Sequence, residues 1–451
     1  MISSIRILPR RDLSREVWKL AGPVVIGMIS QTLLNVVDTA MVGRLGPAAL
    51  GAAGMGGMLS WLVLGSFGAL NVGTQAVSAR RCGEGDYHSA GKVFDNSLVL
   101  AILLGSIITL IIAPGMRDIF RFFSPDQTVI HEGSGYIFYR LLGGFPLMLI
   151  MACRGFFNGI GKTKLHMRVA ILINSSNVLF NYMLIFGNFG MPRMETAGAG
   201  LASAIATTLG ALYFLSMALF PEWRKKYRTF RPSNLDMKVS YSVVRLAFPT
   251  GLRAVAEMLG FAVFTLIVAR LGTIELAATN VCITVMSLSF LPGAGVGVAA
   301  ATLVGQKLGE KDPIAAEKFG WEALRNGIML MGSLGLIFFI FPEQIVRIFT
   351  DDPEVIAAGI IPLRLMGLVQ SFDAAGMVFI NALEGAGMNR WVLIAAGILA
   401  WGFFIPGTVL VAFVFHWGLI GAWVVFGLYL VFLAIVMTFK FAEGAWKEAR
   451  V

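Results

Sequence analysis

Residues 392–415 read VLIAAGILAWGFFIPGTVLVAFVF, an uninterrupted run without a charged side chain. An α-helix needs about 20 apolar residues to cross a hydrocarbon core of roughly 30 Å, so this stretch is long enough to span a membrane. Similar runs occupy Ser97–Ala113 and Gly327–Phe341. The 451 residues are 57% hydrophobic and 14% charged, whereas soluble domains carry roughly 25% charged residues. The composition predicts an integral membrane protein.

Twelve apolar segments of spanning length are predicted along the chain. They lie near residues 17–43, 49–77, 91–113, 133–153, 165–187, 197–220, 243–269, 276–304, 320–342, 357–382, 391–415 and 419–441. We therefore expect an all-α fold with twelve transmembrane helices.

The chain contains an internal repeat, in which matching positions differ in number by 226. The matching pairs are Leu20-Ala21-Gly22-Pro23 with Leu246-Ala247-Phe248-Pro249, Arg44-Leu45-Gly46 with Arg270-Leu271-Gly272, Gly83-Glu84-Gly85-Asp86 with Gly309-Glu310-Lys311-Asp312, and Gly159-Ile160-Gly161 with Gly385-Ala386-Gly387. Four such pairs indicate a duplication into an N-lobe at residues 1–222 and a C-lobe at residues 241–451, joined by a basic cytoplasmic linker at residues 223–240. Because each lobe has an even number of helices, the repeats are parallel, and a central cleft between them suits alternating access.

The net charge of +10 is explained by the orientation of the protein in the membrane and does not require a nucleic-acid partner. With both termini in the cytoplasm, 24 of the 36 Lys and Arg residues fall on the cytoplasmic side and six on the outer side. This bias is the one expected from the positive-inside rule. We therefore predict a multi-pass protein of the cell (inner) membrane with both termini in the cytoplasm.

Three carboxylates lie inside predicted spans: Asp38 in the first, Glu257 in the seventh and Asp373 in the tenth. A charge at the centre of a bilayer costs about 2.5–3.5 kcal/mol on insertion scales, so each is a candidate functional residue. Gln31 and Asn35 precede Asp38 at a spacing that places all three on one helical face.

A second polar stripe lies in the fifth span, where Asn174, Asn177 and Asn181 share one face. Two oxygen-rich stripes in one lobe are typical of a site that closes around a hard cation or holds a proton on Asp38. The alternative is a network of interhelical hydrogen bonds, worth about 0.6 kcal/mol per contact.

Glu257 and Asp373 belong to the same lobe and together form a second candidate proton site, since two nearby carboxylates share a proton. Arg253 lies one turn before Glu257, and the alternative is a structural pair between these two residues. Four other carboxylates lie near ends of predicted spans, where we expect solvation or helix capping. They are Glu132, Asp95, Glu322 and Glu384.

The carboxylates do not follow the repeat. At an offset of 226, Glu257 corresponds to Gln31 and Asp38 corresponds to Phe264. The helical scaffold is duplicated but its titratable residues are not, so we expect the two lobes to have different functions.

Taken together, these residues resemble the multidrug and toxic compound extrusion (MATE) family over essentially the whole chain. The resemblance rests on Pro23, Gln31 and Asp38-Thr39 in the first span, Val42-Gly43-Arg44-Leu45-Gly46 after it, Asn177 and Asn181 in the fifth, Pro249 and Glu257 in the seventh, and Thr350-Asp351-Asp352-Pro353 and Phe372-Asp373 at the tenth. The pair Glu257 and Asp373 favours the NorM-like branch.

The resemblance implies antiport, in which H⁺ or Na⁺ enters while a cationic amphiphilic drug or dye leaves. It implies an N-lobe coupling site at Asp38, Asn177 and Asn181, to which the stripe residues Gln31 and Asn35 are added, with Ser203 in place of a family Thr. It implies a C-lobe site at Glu257 and Asp373, and a helix-1 hinge at Pro23. Val369 replaces a family Tyr and Arg253 competes for Glu257, so the C-lobe departs from the Na⁺ pattern and favours proton coupling.

Other functions remain as alternatives. A lipid-linked oligosaccharide flippase would line its cleft with cations, and the chain offers Arg140, Arg154, Arg253 and Arg364 for that purpose. Duplicated bundles also serve as channels or scaffolds. We find no nucleotide loop, nucleophile motif or metal-spaced His/Cys set in the sequence, and we predict no enzyme activity and no cofactor. We expect a monomer whose partners are the bilayer and small organic cations.

Overall fold

The computed structural model describes residues 10–116, 118 and 127–449 of the protein. The elements found among these residues are helical throughout. Eleven helices are long and apolar enough to cross a membrane, and the bent pair Ile130–Leu142 and Gly144–Gly159 supplies a twelfth span. Each predicted segment coincides with one of these spans, so the predicted all-α membrane fold is confirmed.

The first six spans are built from eight helices. These are α1 Arg11–Gly43, α2 Pro47–Gly68, α3 Leu70–Gly83, α4 Tyr87–Ile107, α5 Gln127–Leu142, α6 Gly144–Gly159, α7 Thr163–Phe186 and α8 Glu195–Leu219. α2 and α3 form a single span, α4 continues through a π-helical turn at Ile108–Ile112, and α5 and α6 bend by 42° at their junction. The short helix α9, Pro221–Tyr227, and a 3₁₀ turn at Pro232–Asn234 follow.

The second six spans are built from longer helices. They are α10 Met237–Ala269, α11 Thr273–Gly309, α12 Pro313–Ile340, the short α13 Pro342–Arg347, α14 Pro353–Gly385, α15 Asn389–Ile398, α16 Ile405–Val409 and α17 Gly418–Glu443. A π-helical turn at Leu399–Phe404 joins α15 to α16, and a second at Leu410–Val414 continues α16 to the end of the span.

The chain divides into two compact units whose boundaries fall inside α1 and α10. The described residues of Ile26–Gly251 form the N-unit, and residues 10–25 together with residues 252–449 form the C-unit. Both boundaries lie two residues after a proline within a helix, Pro23 in α1 and Pro249 in α10. Proline lacks the N–H that would bond four residues back, so the helix is weakest near these points.

The lobes predicted at residues 1–222 and 241–451 follow the sequence repeat and stay a prediction. The compact units differ from these halves, because the first part of α1 belongs to the C-unit and the first part of α10 belongs to the N-unit. Val17, Leu20 and Ala21 of α1 accordingly pack in the apolar core of the C-unit.

Hydrogen bonds to a buried carboxylate hold the start of α1 in the C-unit. Glu322 on α12 is 0% exposed, and its Oε1 accepts from the backbone N–H of Arg10 at 2.7 Å and from the Ser14 hydroxyl at 2.6 Å. Its Oε2 accepts from Arg325 at 2.8 Å. We call Arg10, Ser14 and Glu322 the α1 anchor. The expectation that solvation or capping explains Glu322 is wrong, because α1 covers it.

An equivalent set of contacts holds the start of α10 in the N-unit. The Oδ1 of buried Asn96 on α4 accepts from the backbone N–H of Asp236 at 3.1 Å and from the Ser240 hydroxyl at 2.9 Å. We call these three residues the α10 anchor. At the offset of 226, its positions 96, 236 and 240 correspond to positions 322, 10 and 14 of the α1 anchor. The repeat therefore extends to the contacts that place each exchanged helix.

The structure explains two of the repeated motifs. Asp86 and Asp312 are N-caps, whose carboxylates accept from the backbone N–H three residues later at 2.9 Å. Hydrogen bonds from Ser89 lower the pKa of Asp86, since they stabilise its charged form. A Cβ on Gly159 or Gly385 would meet the backbone carbonyl oxygens of Gln75 and Ala301 at 2.8 and 2.4 Å, and those two carbonyls are themselves related by the repeat.

Candidate functional site

A polar cavity of about 200 Å³ lies within the N-unit. It is lined by side chains of α1, α2 and α5 to α8. Its polar lining residues are Gln31, Asn35, Asp38, Arg140, Arg154, His166, Asn177, Ser203 and Thr207. Five of the six predicted N-lobe site residues are among them, and the sixth, Asn181, is joined to Asp38 by a hydrogen bond.

A chain of hydrogen bonds links four helices, α1, α5, α7 and α8, at one end of this cavity. The amide nitrogen of Asn181 donates to Asp38 Oδ1 at 2.6 Å and to Asn177 Oδ1 at 2.9 Å. The amide nitrogen of Asn177 donates to the Ser203 hydroxyl oxygen at 3.0 Å. Arg140 Nη1 donates to the same oxygen at 2.8 Å. The structure thus brings Asp38, Asn181, Asn177 and Ser203 together and adds Arg140, which the sequence did not assign to this site.

The remaining members of the two predicted stripes lie beside this chain. Gln31 donates to Asn35 at 3.3 Å, and both side chains are exposed on the cavity face of α1. Asn174 on α7 donates to the hydroxyl of Ser30 on α1 at 2.8 Å. α1 and α7 are therefore joined by polar contacts at two levels, at Asn174 and at Asn181.

The electrostatics of this end of the cavity limit what it can hold. Asp38 supplies a carboxylate, and the Oδ1 atom of Asn181 is buried without a hydrogen-bond partner. Asn177 Oδ1 already accepts a hydrogen bond, and the positive charge of Arg140 acts on Asp38. The positive charge of Arg140 in the same hydrogen-bonded chain opposes the binding of a metal cation beside Asp38. A proton needs only the carboxylate.

The C-unit holds its charged residues differently. Arg253 Nη1 contacts Glu257 Oε1 at 2.7 Å, and its Nη2 contacts Glu384 Oε1 at 3.2 Å. Glu384 is 2% exposed, so the expectation of a solvated or capping residue is wrong there. The structural pair Arg253 and Glu257, the alternative drawn from sequence, is present, with Glu384 as a third member. Sequence reasoning did not assign Glu384 to this cluster. The signal that could have found it is its position directly before Gly385, which belongs to a repeated motif.

Asp373 stands apart from that cluster. Within the described part of the chain it makes no hydrogen bond or ion pair, whereas Glu257 is bound by Arg253. The structure therefore does not join the two predicted C-lobe carboxylates to each other.

The counterparts of the cavity residues in the C-unit are large and mostly apolar. At an offset of 226, Asp38, Arg140, Asn177 and Ser203 correspond to Phe264, Met366, Phe403 and Tyr429. All four pack in or against the apolar core of the C-unit. The Phe264 ring lies 5.4 Å from that of Phe404 and 5.8 Å from that of Trp423. Aromatic packing thus occupies in one unit the positions that carry polar groups in the other.

Comparison with known proteins supports both the repeat and the fold. The family model MatE matches the chain twice, at residues 23–183 and 249–410, and the starts of the two matches differ by the offset of the repeat. A probable multidrug resistance protein NorM of Thermotoga maritima is 28% identical over 447 residues, covering 98% of this chain and 94% of that protein. The multidrug resistance protein NorM of Burkholderia vietnamiensis is 28% identical over 434 residues, covering 94% and 92%.

Solved structures show the same fold. A MOP superfamily transporter from Pyrococcus furiosus superposes with a TM-score of 0.89 at 20% identity, covering 97% of both chains. A multidrug resistance MATE family transporter in an outward-facing conformation gives a TM-score of 0.89 at 20% identity, covering 96% of this chain and 97% of that one. The two matches to the family model cover more than half of the sequence, and the chain therefore belongs to the MatE family of multi-pass membrane transporters.

Proposed function

We propose that the protein is a secondary active multidrug exporter that antiports H⁺ or Na⁺ against cationic amphiphilic drugs or dyes by alternating access. The family and the two NorM relatives support export of drugs. The observation that carries the coupling is the hydrogen-bonded chain from Asp38 through Asn181 and Asn177 to Ser203.

In this proposal Asp38 binds the coupling ion. Placing a charged carboxylate inside a membrane costs more free energy than placing a neutral one there. Binding of the coupling ion to Asp38 therefore changes the relative free energies of the conformations of the surrounding helices. Asp38 contacts α7 through Asn181, and it lies on α1, the helix in which Pro23 precedes a unit boundary. Neutralising Asp38 weakens its bond to Asn181 and frees α1 to bend near Pro23. Coupling follows because ion and substrate stabilise different positions of α1.

Protons fit the site better than Na⁺. Arg140 competes with any metal cation near Asp38, and Asn177 Oδ1 is already occupied by a hydrogen bond. In the C-unit, Arg253 binds both Glu257 and Glu384, so those carboxylates already have a counter-charge. Asp373 is the C-unit carboxylate that remains for ion binding. Both the N-unit and the C-unit arrangements favour H⁺ as the coupling ion.

The proposal is tested with everted vesicles that carry the protein and a bound fluorescent cation such as ethidium. A pH gradient and a Na⁺ gradient are imposed separately. We expect dye movement to follow the pH gradient, whereas movement with Na⁺ alone would assign the coupling to Na⁺. If no cationic dye moves in response to either gradient, the exporter proposal is wrong.

A lipid-linked oligosaccharide flippase is the second candidate. The observation in its favour is that two arginines, Arg140 and Arg154, line the same cavity, since an arginine guanidinium binds phosphate groups through paired hydrogen bonds. Against it, Arg253 is held by two carboxylates. Growth of a strain that lacks its own lipid-intermediate flippase, restored by this protein, would decide for the flippase.

The proposal also includes an orientation and an oligomeric state. We place both termini in the cytoplasm of a cell (inner) membrane, on the distribution of Lys and Arg. We propose that the protein works as a monomer. Labelling of single cysteines placed in the linker at residues 223–240 in intact cells tests the orientation, since a membrane-impermeant reagent should not reach them.

A further inference from the structure

A groove of about 470 Å³ lies on the surface of the C-unit, away from the charged residues described above. It is lined by Trp391, Val436, Phe439, Lys440 and Glu443. Trp391 stands in the first turn of α15, and the other four residues belong to the last turns of α17. These helices start and end two consecutive spans, which cross the membrane in opposite directions. The groove therefore lies at one face of the membrane, where the hydrocarbon core meets the headgroups.

The apolar part of this groove is open. The Phe439 side chain is 73% exposed, and those of Trp391 and Val436 are half-buried. Aromatic side chains at the end of a span are typical of the interface between hydrocarbon and headgroups. Because the surface of a span is covered by lipid, the apolar part of the groove suits an acyl chain.

The polar part of the groove holds one cation and one carboxylate in fixed positions. Lys440 Nζ donates to Glu443 Oε2 at 2.7 Å and lies 5.3 Å from the centroid of the Trp391 ring. The ring and the carboxylate thus orient the ammonium group, which carries three N–H donors. Among the described residues, Glu443 is the one hydrogen-bond acceptor of Lys440, and Glu443 Oε1 has no hydrogen-bond donor. Donors of Lys440 and one oxygen of Glu443 therefore remain for a ligand.

The charges of this groove match a zwitterionic headgroup better than an anionic one. Lys440 and Glu443 cancel, so a headgroup with a phosphate alone is attracted by one residue and repelled by the other. A headgroup that carries a phosphate and a primary ammonium meets both, because the phosphate accepts from Lys440 and the ammonium donates to Glu443. A trimethylated ammonium has no N–H and cannot form the second of these bonds.

We propose that Lys440, Glu443 and Trp391 form a binding site for a phospholipid with an ethanolamine headgroup. Lys440 binds its phosphate, Glu443 binds its ammonium, and an acyl chain lies along Val436 and Phe439. By contacting both α15 and α17, the lipid joins the ends of two neighbouring spans. In the proposed orientation this lipid belongs to the cytoplasmic leaflet, but its binding does not depend on the proposed transport activity.

Native mass spectrometry of the full-length protein tests the site by identifying the first lipid bound. The protein in detergent is incubated with equal amounts of dioleoyl phosphatidylethanolamine, phosphatidylcholine and phosphatidylglycerol, which share the phosphate and the acyl chains. We expect the ethanolamine lipid to be bound about threefold more often than either of the others, as one partly exposed charged contact would give. Glu443→Gln should remove this preference. The matched control is Glu310→Gln, which alters the pair of Glu310 with Lys307, at the same spacing but outside the groove.

A second variant separates the phosphate contact from the ammonium contact. Lys440→Met should lower the binding of all three lipids, because each carries the phosphate. Should Lys440→Met fail to fold, Glu443→Gln still tests the site, since the Glu443 side chain is 58% exposed and contributes little to stability. Equal binding of the three lipids, a preference for phosphatidylglycerol, or an ethanolamine preference that survives in Glu443→Gln would overturn the site. Gradient-driven ethidium movement reports on the proposed function alone, so a failure of transport and a failure of this site are distinguishable.

Discussion

The two helix anchors differ in one respect that predicts a difference in stability. In each anchor, one side-chain oxygen accepts hydrogen bonds from a backbone N–H and from a serine hydroxyl. This oxygen belongs to a carboxylate in Glu322 and to an amide in Asn96. We predict that Glu322→Ala releases the start of α1 more completely than Asn96→Ala releases the start of α10.

The magnitude follows from the hydrogen bonds that are lost. Glu322→Ala removes two hydrogen bonds that a buried carboxylate accepts from Arg10 and Ser14, at about 1.5–3 kcal/mol each for bonds to a charged group. Asn96→Ala removes two neutral bonds to the exchanged segment, at about 0.5–1.5 kcal/mol each. A difference of about 2 kcal/mol corresponds to roughly a 30-fold difference in the opening equilibrium.

Hydrogen exchange of the protein in nanodiscs measures this directly, because local opening sets the exchange rate of each segment. Glu322→Ala should accelerate exchange at residues 10–25 by at least an order of magnitude while leaving residues 236–251 unchanged. Asn96→Ala should do the reverse, by a smaller factor, so each variant is the control for the other. Equal acceleration in the two variants, or no change at residues 10–25, would refute the role assigned to the buried carboxylate.

Three further substitutions test the packing and the caps by thermal unfolding in detergent. Asp86→Ala should cost about 1 kcal/mol at neutral pH through loss of the cap; because the pKa of Asp86 is lowered in the folded state, the cost should vanish as the pH falls through that pKa. Gly385→Ala should destabilise the protein markedly, since its Cβ would lie 2.4 Å from a backbone carbonyl oxygen, whereas Gly397→Ala meets nothing within 4 Å and should be neutral or stabilising. Arg253→Met should cost about 3–5 kcal/mol by leaving buried Glu384 without its cation, and Glu384→Gln in the same chain should recover part of that loss.

The spans and the repeat are predictable from sequence because they depend on local quantities. A run such as residues 392–415 has few alternatives to crossing a membrane, and the offset of 226 recurs in the family match itself. The contact of Asp38 with α7 is also foreseeable in part, since Asn177 and Asn181 share one face of that helix.

Contacts between distant helices are not foreseeable in this way. Arg140 joins the Asp38 network through Ser203, 63 residues away, and no local pattern links the two. Glu322 is covered by a segment 308 to 312 residues away in the chain. A carboxylate near a helix end looks solvated in the sequence, and only the packing of another helix over it shows that it is buried. The exchange of the starts of α1 and α10 between the two halves is hidden for the same reason.

The asymmetry of the two halves is visible in the sequence as the pairing of Asp38 with Phe264. In the structure, Phe264 packs in the apolar core of the C-unit, whereas Asp38 lines the polar cavity of the N-unit. At the equivalent positions the C-unit packs large apolar and aromatic side chains, whereas the N-unit carries carboxylate, guanidinium and amide groups. We infer that the N-unit carries the principal coupling site.

The central claim is that Asp38 couples ion entry to export, and transport by reconstituted Asp38→Asn tests it most directly. Proteoliposomes with wild-type protein, Asp38→Asn, or the control Asp351→Asn, at an exposed position outside the spans, are loaded with ethidium under a pH gradient. We predict gradient-driven ethidium movement in wild type and Asp351→Asn, and none in Asp38→Asn, although that variant is folded and still binds ethidium. Gradient-driven movement at the wild-type rate in Asp38→Asn would contradict the account.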